Sequence, residues 1–183
     1  NGDLQVTVYV KQVAEISTLS SGDVEWEGDL PADELYLSTT SSGDITWTGT
    51  LTTDKLHIHC SSSGDVEGHY KGKNAVVILS SSGDYEGDME VETLDAQITS
   101  SGDFTGRVNA AKAIFNLSSS GDAEVKGSID SLYVTAGSAA DFEGKKIVYK
   151  YAEAQTASGA NIYLSKSGIV VDKPPRHTGV IVD

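Results

Sequence analysis

The stretch Leu35-Tyr36-Leu37-Ser38-Thr39-Thr40-Ser41-Ser42-Gly43-Asp44-Ile45 decides the fold. Apolar side chains at 35 and 37 alternate with Tyr36 and Ser38, a run of small hydroxyls ends in Gly-Asp, and Ile45 follows directly. Alternation with a period of two marks a strand with one buried face, and Ser-Ser-Gly-Asp is turn chemistry. The phrase recurs along the chain. Gly-Asp stands at residues 2, 22, 43, 64, 83, 102 and 121, with glycine spacings of 20, 21, 21, 19, 19 and 19. Two decayed copies continue the period at Ala140-Asp141 and Gly159-Ala160-Asn161, so nearly the whole chain is an array of about nine units.

Positions eight, six and four before each glycine are almost wholly apolar, as in Leu56/Ile58/Cys60, Leu94/Ala96/Ile98 and Ala113/Phe115/Leu117. The columns between them carry Tyr36, His57, Asp95, Gln97, Asn116 and Tyr133, and an apolar residue directly behind most of the Asp residues restarts the strand phase. Units of this kind, without helical periodicity, predict an all-β fold, a parallel β-solenoid or β-helix of about nine coils of 19–21 residues. Each coil is too thin to bury its own face, and stacking at roughly 4.8 Å turns the columns into continuous internal ladders. A right-handed coil is expected from the preference of parallel crossovers. A leucine-rich repeat would need its Leu/Asn signature and helices, and a propeller about twice the period. The array is expected over residues 1–168, with 169–183 as a C-terminal cap of the same domain. Within that tail Lys173-Pro174-Pro175-Arg176-His177 interrupts the ladder before a last strand at Val180 to Val182.

Composition narrows the functions. Thirteen Lys and Arg against 27 Asp and Glu give a net charge of −14, which argues against binding nucleic acid or an anionic membrane and favours cationic partners. Cys60 is the single cysteine, so no intramolecular disulfide or cysteine-rich metal site forms. No apolar run is long enough for a membrane span, and direct insertion of this segment is not expected. The chain starts in mid-pattern, which suggests a piece cut from a longer protein whose targeting segment has been removed. Aromatics make up 7% of residues, and Trp26 and Trp47 fall in the two 21-residue units. The 19-residue units mostly hold glycine at that place, which predicts that large rings fit chiefly in the widest coils.

The aspartates Asp23, Asp44, Asp65, Asp84, Asp103, Asp122 and Asp141 should stack along one corner. Neighbouring carboxylates about 5 Å apart repel by roughly 1 kcal/mol in water, so something must offset the row. The favoured reading is that each accepts backbone N–H bonds in its own turn, with Gly22, Gly43, Gly64, Gly83, Gly102 and Gly121 supplying a positive φ. The alternative fills the ladder with Ca²⁺, although calcium solenoids use more glycines and more oxygen ligands per turn. No cofactor is otherwise expected. The serine pairs before each glycine, such as Ser62-Ser63 and Ser81-Ser82, are read as hydroxyls bonding between coils; an ice- or glycan-contacting hydroxyl face is the lesser reading. His57 and His59 share an outward face with His69 one unit on, but lack an evident third ligand and are read as solvated, not as a Zn²⁺ site. Cys60 occupies an inward column and reads as an apolar filler. The acids are periodic and the cations scattered, with no phosphate loop or nucleophile elbow, so no catalytic residue is assigned.

The repeated Ser-Ser-Gly-Asp-apolar corner, preceded by Leu-x-Ile/Leu/Val and followed by a glycine a few residues on, resembles bacterial adhesin families. These are the head GIN domain of auto-transporter adhesins and its Gly-Asp-repeat relatives, and the likeness covers about residues 2 to 165. It implies a β-solenoid displayed outside the cell or at its envelope, often as one module of a longer protein. Its partner would be a surface protein, a glycan or a cationic ligand; the likeness transfers no catalytic residue. A carbohydrate-active enzyme on a β-helix is the least favoured reading.

Overall fold

The computed structural model describes residues 5–28, 30–173 and 179–183; the first Gly-Asp, at Gly2-Asp3, and the Pro174–His177 part of the expected cap lie outside them. The described chain is all strand: β1 (Glu15–Thr18), β2 (Val24–Glu27), β3 (Leu30–Thr39), β4 (Ile45–Cys60), β5 (Val66–Leu79), β6 (Tyr85–Glu86), β7 (Met89–Thr99), β8 (Asp103–Ser118), β9 (Asp122–Ala136), β10 (Asp141–Thr156), β11 (Asn161–Leu164), β12 (Ile169–Asp172) and β13 (Val180–Val182). Every pairing is parallel and joins one coil to the next, as in Leu56↔Ala75, Ala75↔Leu94 and Leu94↔Ala113. The result is the expected parallel β-solenoid, of about eight turns where the repeat count gave nine. The difference lies at the ends: β1 and β13 are partial rungs, and residues 5–14 form no strand despite their alternating sequence. At the other end the ladder runs past residue 168, because β12 pairs with β10 and β13 with β11.

The interior is one continuous apolar column from Leu30 to Leu164, with Cys60 fully enclosed within it. Burial pushes the Cys60 thiol up to about 12, so at neutral pH it is an uncharged filler. The expectation that large rings need the widest coils fails. Tyr85, Phe104, Phe115 and Phe142 are fully buried in 19-residue coils and touch in sequence, with ring centroids 5.1, 5.5 and 5.1 Å apart. Tilted and edge-on packing lets adjacent coils share one cross-section, because each ring takes a place that its neighbour leaves free. The tryptophans follow a related rule. Trp47 lies inside, its indole N–H donating to the His69 carbonyl at 2.8 Å, and its ring covers Gly68 of the next coil, where a Cβ would come within 2.2 Å of it.

Candidate binding surface

The Asp corner is built by the turn before it. The structure moves the positive φ from the glycines to the residues ahead of them: Ser100 and Ser101 have φ of 57° and 69°, Ser119 and Ser120 of 56° and 65°, and Ser62 and Ser81 also lie in this region. The Gly102 amide then donates to Thr99 and the Gly121 amide to Ser118, closing four-residue turns whose central residues both have positive φ. None of the six corner glycines has positive φ; five of them are needed because the backbone crosses the previous coil closely. A Cβ on Gly43 would lie 2.5 Å from the Gly22 carbonyl oxygen, and one on Gly64 would lie 2.7 Å from that of Gly43.

The carboxylates likewise bond between coils and not within their own turns. The amide of Asp44 donates to Asp23 at 3.1 Å, Asp65 to Asp44 at 2.9 Å, Asp84 to Asp65 at 3.0 Å, Asp103 to Asp84 at 2.8 Å and Asp141 to Asp122 at 2.8 Å. Asn161 ends the row by giving Asp141 both its backbone and its side-chain N–H. The Asp122 amide is the exception and donates to the Gly102 carbonyl. Each amide bond offsets part of the repulsion between neighbours, but not all of it. Burial raises the pKa of Asp65, Asp84 and Asp103, and neighbouring aspartates raise it further, while the amide of the next coil acts in the opposite direction.

The serine ladder is also displaced from its expected place. The hydroxyls that bond between coils are one residue earlier in the run: Thr40 to Thr18, Ser61 to Thr39, Ser80 to Cys60 and Thr99 to Leu79, each on a carbonyl at 3.3–3.4 Å. The pairs themselves contribute backbone bonds, such as Ser63 N–H to Ser41 C=O.

Beside the Asp ladder the register aligns a second acidic column that periodicity alone did not reveal. Glu25, Thr46, Glu67, Glu86, Thr105, Glu124 and Glu143 succeed one another coil by coil. Each stands two residues after its Asp, so both project from the same side of the strand. Twelve of the 27 acidic residues therefore line one side of the rod. Signals for this were present in the recurring Asp-x-Glu at 23–25, 65–67, 84–86, 122–124 and 141–143.

The outer face ahead of the turns differs. Its central column reads Tyr36, His57, Val76, Asp95, Ile114, Tyr133, Glu153. His57 is half-buried and not freely solvated: its ring stacks on Tyr36 at 4.4 Å, and its Nε2 lies 3.1 Å from a Glu34 oxygen that also accepts from the Tyr36 hydroxyl at 3.0 Å. These two contacts lower the Glu34 pKa, the tyrosine bond most. Among the described residues no group of three His, Cys, Asp or Glu side chains is placed to hold a metal ion. A groove of about 880 Å³ runs past Lys11, Asp54, Lys71, Lys73 and Glu90. Lys71 pairs with Glu90 at 2.9 Å and Lys73 with Asp54 at 2.7 Å, and Lys11, Asp33 and Glu92 also line it, so cations and carboxylates are mixed along its length.

The fold defines a class: a parallel β-solenoid of like coils that repeats the same outward columns from coil to coil. Within that class, the family model described as "Putative auto-transporter adhesin, head GIN domain" matches residues 1–104 and again 85–171, and the chain belongs to this family. Two overlapping matches are what a ladder of similar coils produces. Comparison with curated proteins and with solved structures finds no match. No helix among the described residues is long and apolar enough to cross a membrane.

Proposed function

We propose that the chain is a non-enzymatic module of the cell surface or envelope whose Asp/Glu side engages a cationic partner, such as a lysine-rich protein segment. The observation that carries this reading is the pair of parallel acidic columns on one side of a rigid rod. A flat array of one charge sign raises the local concentration of counter-charged groups and speeds their encounter, and multiple weak contacts add through avidity. Family membership supports a surface location and an adhesive role. Periodic acids in like environments also give no unlike acid/base pair of the kind that hydrolysis requires.

Calcium is the weaker occupant of the Asp ladder. Most of the aspartates already use Oδ1 to accept an amide hydrogen, and a Ca²⁺ ion needs six to eight oxygens. Two measurements test these readings. A decalysine peptide should bind, with an affinity that falls steeply with salt. Reversing charge with Glu67→Lys and Glu86→Lys should weaken binding at least about tenfold by removing focused charge, while Glu153→Gln on the other face leaves it unchanged. Equal losses in both variants, or no binding at low salt, would overturn the proposal. Calcium at the millimolar levels of weak extracellular sites should leave the melting temperature unmoved; a rise of several degrees would assign the ladder to the metal.

A further inference from the structure

The outer sheet face ahead of the turns is nearly neutral. Across seven coils, from residues 34–38 to 151–155, its three outward columns hold two lysines and three acids, a net of −1 in a chain of −14. Two copies that meet here therefore escape most of the like-charge repulsion that the whole chains exert. Among the charges stand apolar and aromatic side chains that are only partly buried, Val76, Ile78, Ile114 and Tyr133.

Two of the acids are engaged, Glu34 by Tyr36 and His57 and Glu153 by Lys173. Asp95 is not. It stands between Val76 and Ile114 in the central column, and its Oδ1 is cut off from solvent without a hydrogen-bond partner. A carboxylate oxygen held out of water without a donor costs free energy, which a bound cation offsets. Lys112, one coil on and one column to the side, rests its ammonium 5.2 Å from the Tyr133 ring centroid and forms no ion pair among the described residues.

We propose that two copies of this chain pack through this face as an antiparallel dimer, with Asp95 of each bonded to Lys112 of the partner subunit. A two-fold axis along the strands keeps each column opposite itself and reverses the order of the coils. Set midway between the coils of Asp95 and Lys112, it places Asp95 opposite Ile114 of the partner subunit. Lys112 of the partner subunit then lies in the next column, a gap that a lysine side chain spans at the usual sheet separation of about 10 Å. The same axis sets Val76 against Tyr133 of the partner subunit and Gln97 against Asn116 of the partner subunit, so apolar meets apolar and amide meets amide. Five strand residues by seven coils span roughly 17 by 34 Å, about 1,100 Å² over two copies. That is at the low end of specific interfaces, so the dimer is weak and leans on its two charge pairs. The Asp/Glu side lies beyond the turn and stays uncovered in both copies, so the inference stands independently of the cationic partner.

Sedimentation equilibrium on the whole chain from about 5 to 500 µM, in about 50 mM salt to limit screening, tests this. The expected average mass rises from 19.2 kDa and levels off at twice that value. Asp95→Lys and Lys112→Asp should each raise the dissociation constant at least about tenfold, since one substitution sets like charges together at two symmetric places. The chain that carries both changes should regain the dimer. An equimolar mixture of the two single variants should regain it too, because each mixed pair brings opposite charges together. Melting curves identify a variant that fails to fold, and Asp95→Asn, which adds no charge, should then show the same direction of loss. A mass of 19.2 kDa throughout, a mass that climbs past twice this value, or single variants that dimerise like the unaltered chain would overturn the proposal. So would a folded double variant and a mixture that both stay monomeric.

Discussion

In the 21-residue coil that starts at Gly43, one indole fills the section and the glycine of the next coil makes room for it. In the 19-residue coils beyond, Tyr85, Phe104, Phe115 and Phe142 share the work as a chain of rings in mutual contact. The first coils also bury hydroxyls: Thr18 and Thr39 donate to the Gly43 and Gly64 carbonyls at 2.7 Å, in a column that the following coils fill with Cys60, Leu79, Ile98, Leu117 and Ala136 before a buried hydroxyl returns at Thr156. Coil length thus changes the way rings fill the interior. The wide section depends on single large side chains, whereas the narrow one depends on side chains that belong to several coils at once.

The largest effect should come from the narrow section. Phe115 touches both Phe104 and Phe142, so Phe115→Ala removes two ring contacts and leaves a cavity. The expected cost is about 3–5 kcal/mol in chemical denaturation. Trp26→Ala, at the half-buried end of the wide section, should cost less despite the larger side chain. Equal costs would erase the distinction between the two sections. Next in size is the close backbone crossing. A Cβ on Gly106 would lie 1.8 Å from the Gly87 carbonyl oxygen, whereas one on Gly22 would meet nothing within 4 Å. Gly106→Ala should therefore destabilise by about 2–3 kcal/mol through overpacking, and Gly22→Ala by less than about 0.5 kcal/mol. Calorimetric melting of the two variants separates these cases.

The Asp corner runs through both sections, and its central members supply a smaller effect. Asp84→Ala strands the Asp103 amide and should cost about 1 kcal/mol, whereas Asp84→Asn keeps an oxygen acceptor and should cost little. The pH dependence has a defined sign. Carboxyls at 65, 84 and 103 hold their protons more tightly folded than unfolded, because their pKa values are raised. Their ionisation therefore opposes folding. That penalty is complete above the folded values and is relieved as pH falls through the folded values toward the ordinary carboxylate range. Melting curves across the acid range should show this gain, and Asp84→Asn should flatten it. The smallest effect is at the turn: Ser120→Gly relieves a positive φ at 65° and should stabilise by about 0.5–1 kcal/mol, seen as a rise in denaturant midpoint.

The strands and their inward columns were legible because a period of two inside a period of about 20 has few solutions other than stacked coils. Leu35, Ile58 and Phe115 could be assigned to the interior from spacing alone. The partners of the Asp carboxylates could not, because the accepting oxygen and the donating amide are 19–21 residues apart and meet only when the coils stack. The same separation concealed the glycine requirement. From sequence, Ser-Ser-Gly-Asp suggests that glycine takes the unusual backbone angle; in the fold the serines take it, and the glycine is needed for the carbonyl of the coil beneath. His57 looked solvated because Glu34, 23 positions away, comes beside it only across a strand pair.

By itself the sequence determined the class of fold, the direction in which each strand residue faces and the placement of seven aspartates on one corner, since all three follow from repeat length and alternation. Only the tertiary structure decided which neighbour satisfies each polar group, how four aromatic rings share a narrow section and which columns combine into an acidic side. Those are contacts between coils, and their geometry depends on register and coil width, which local sequence does not specify.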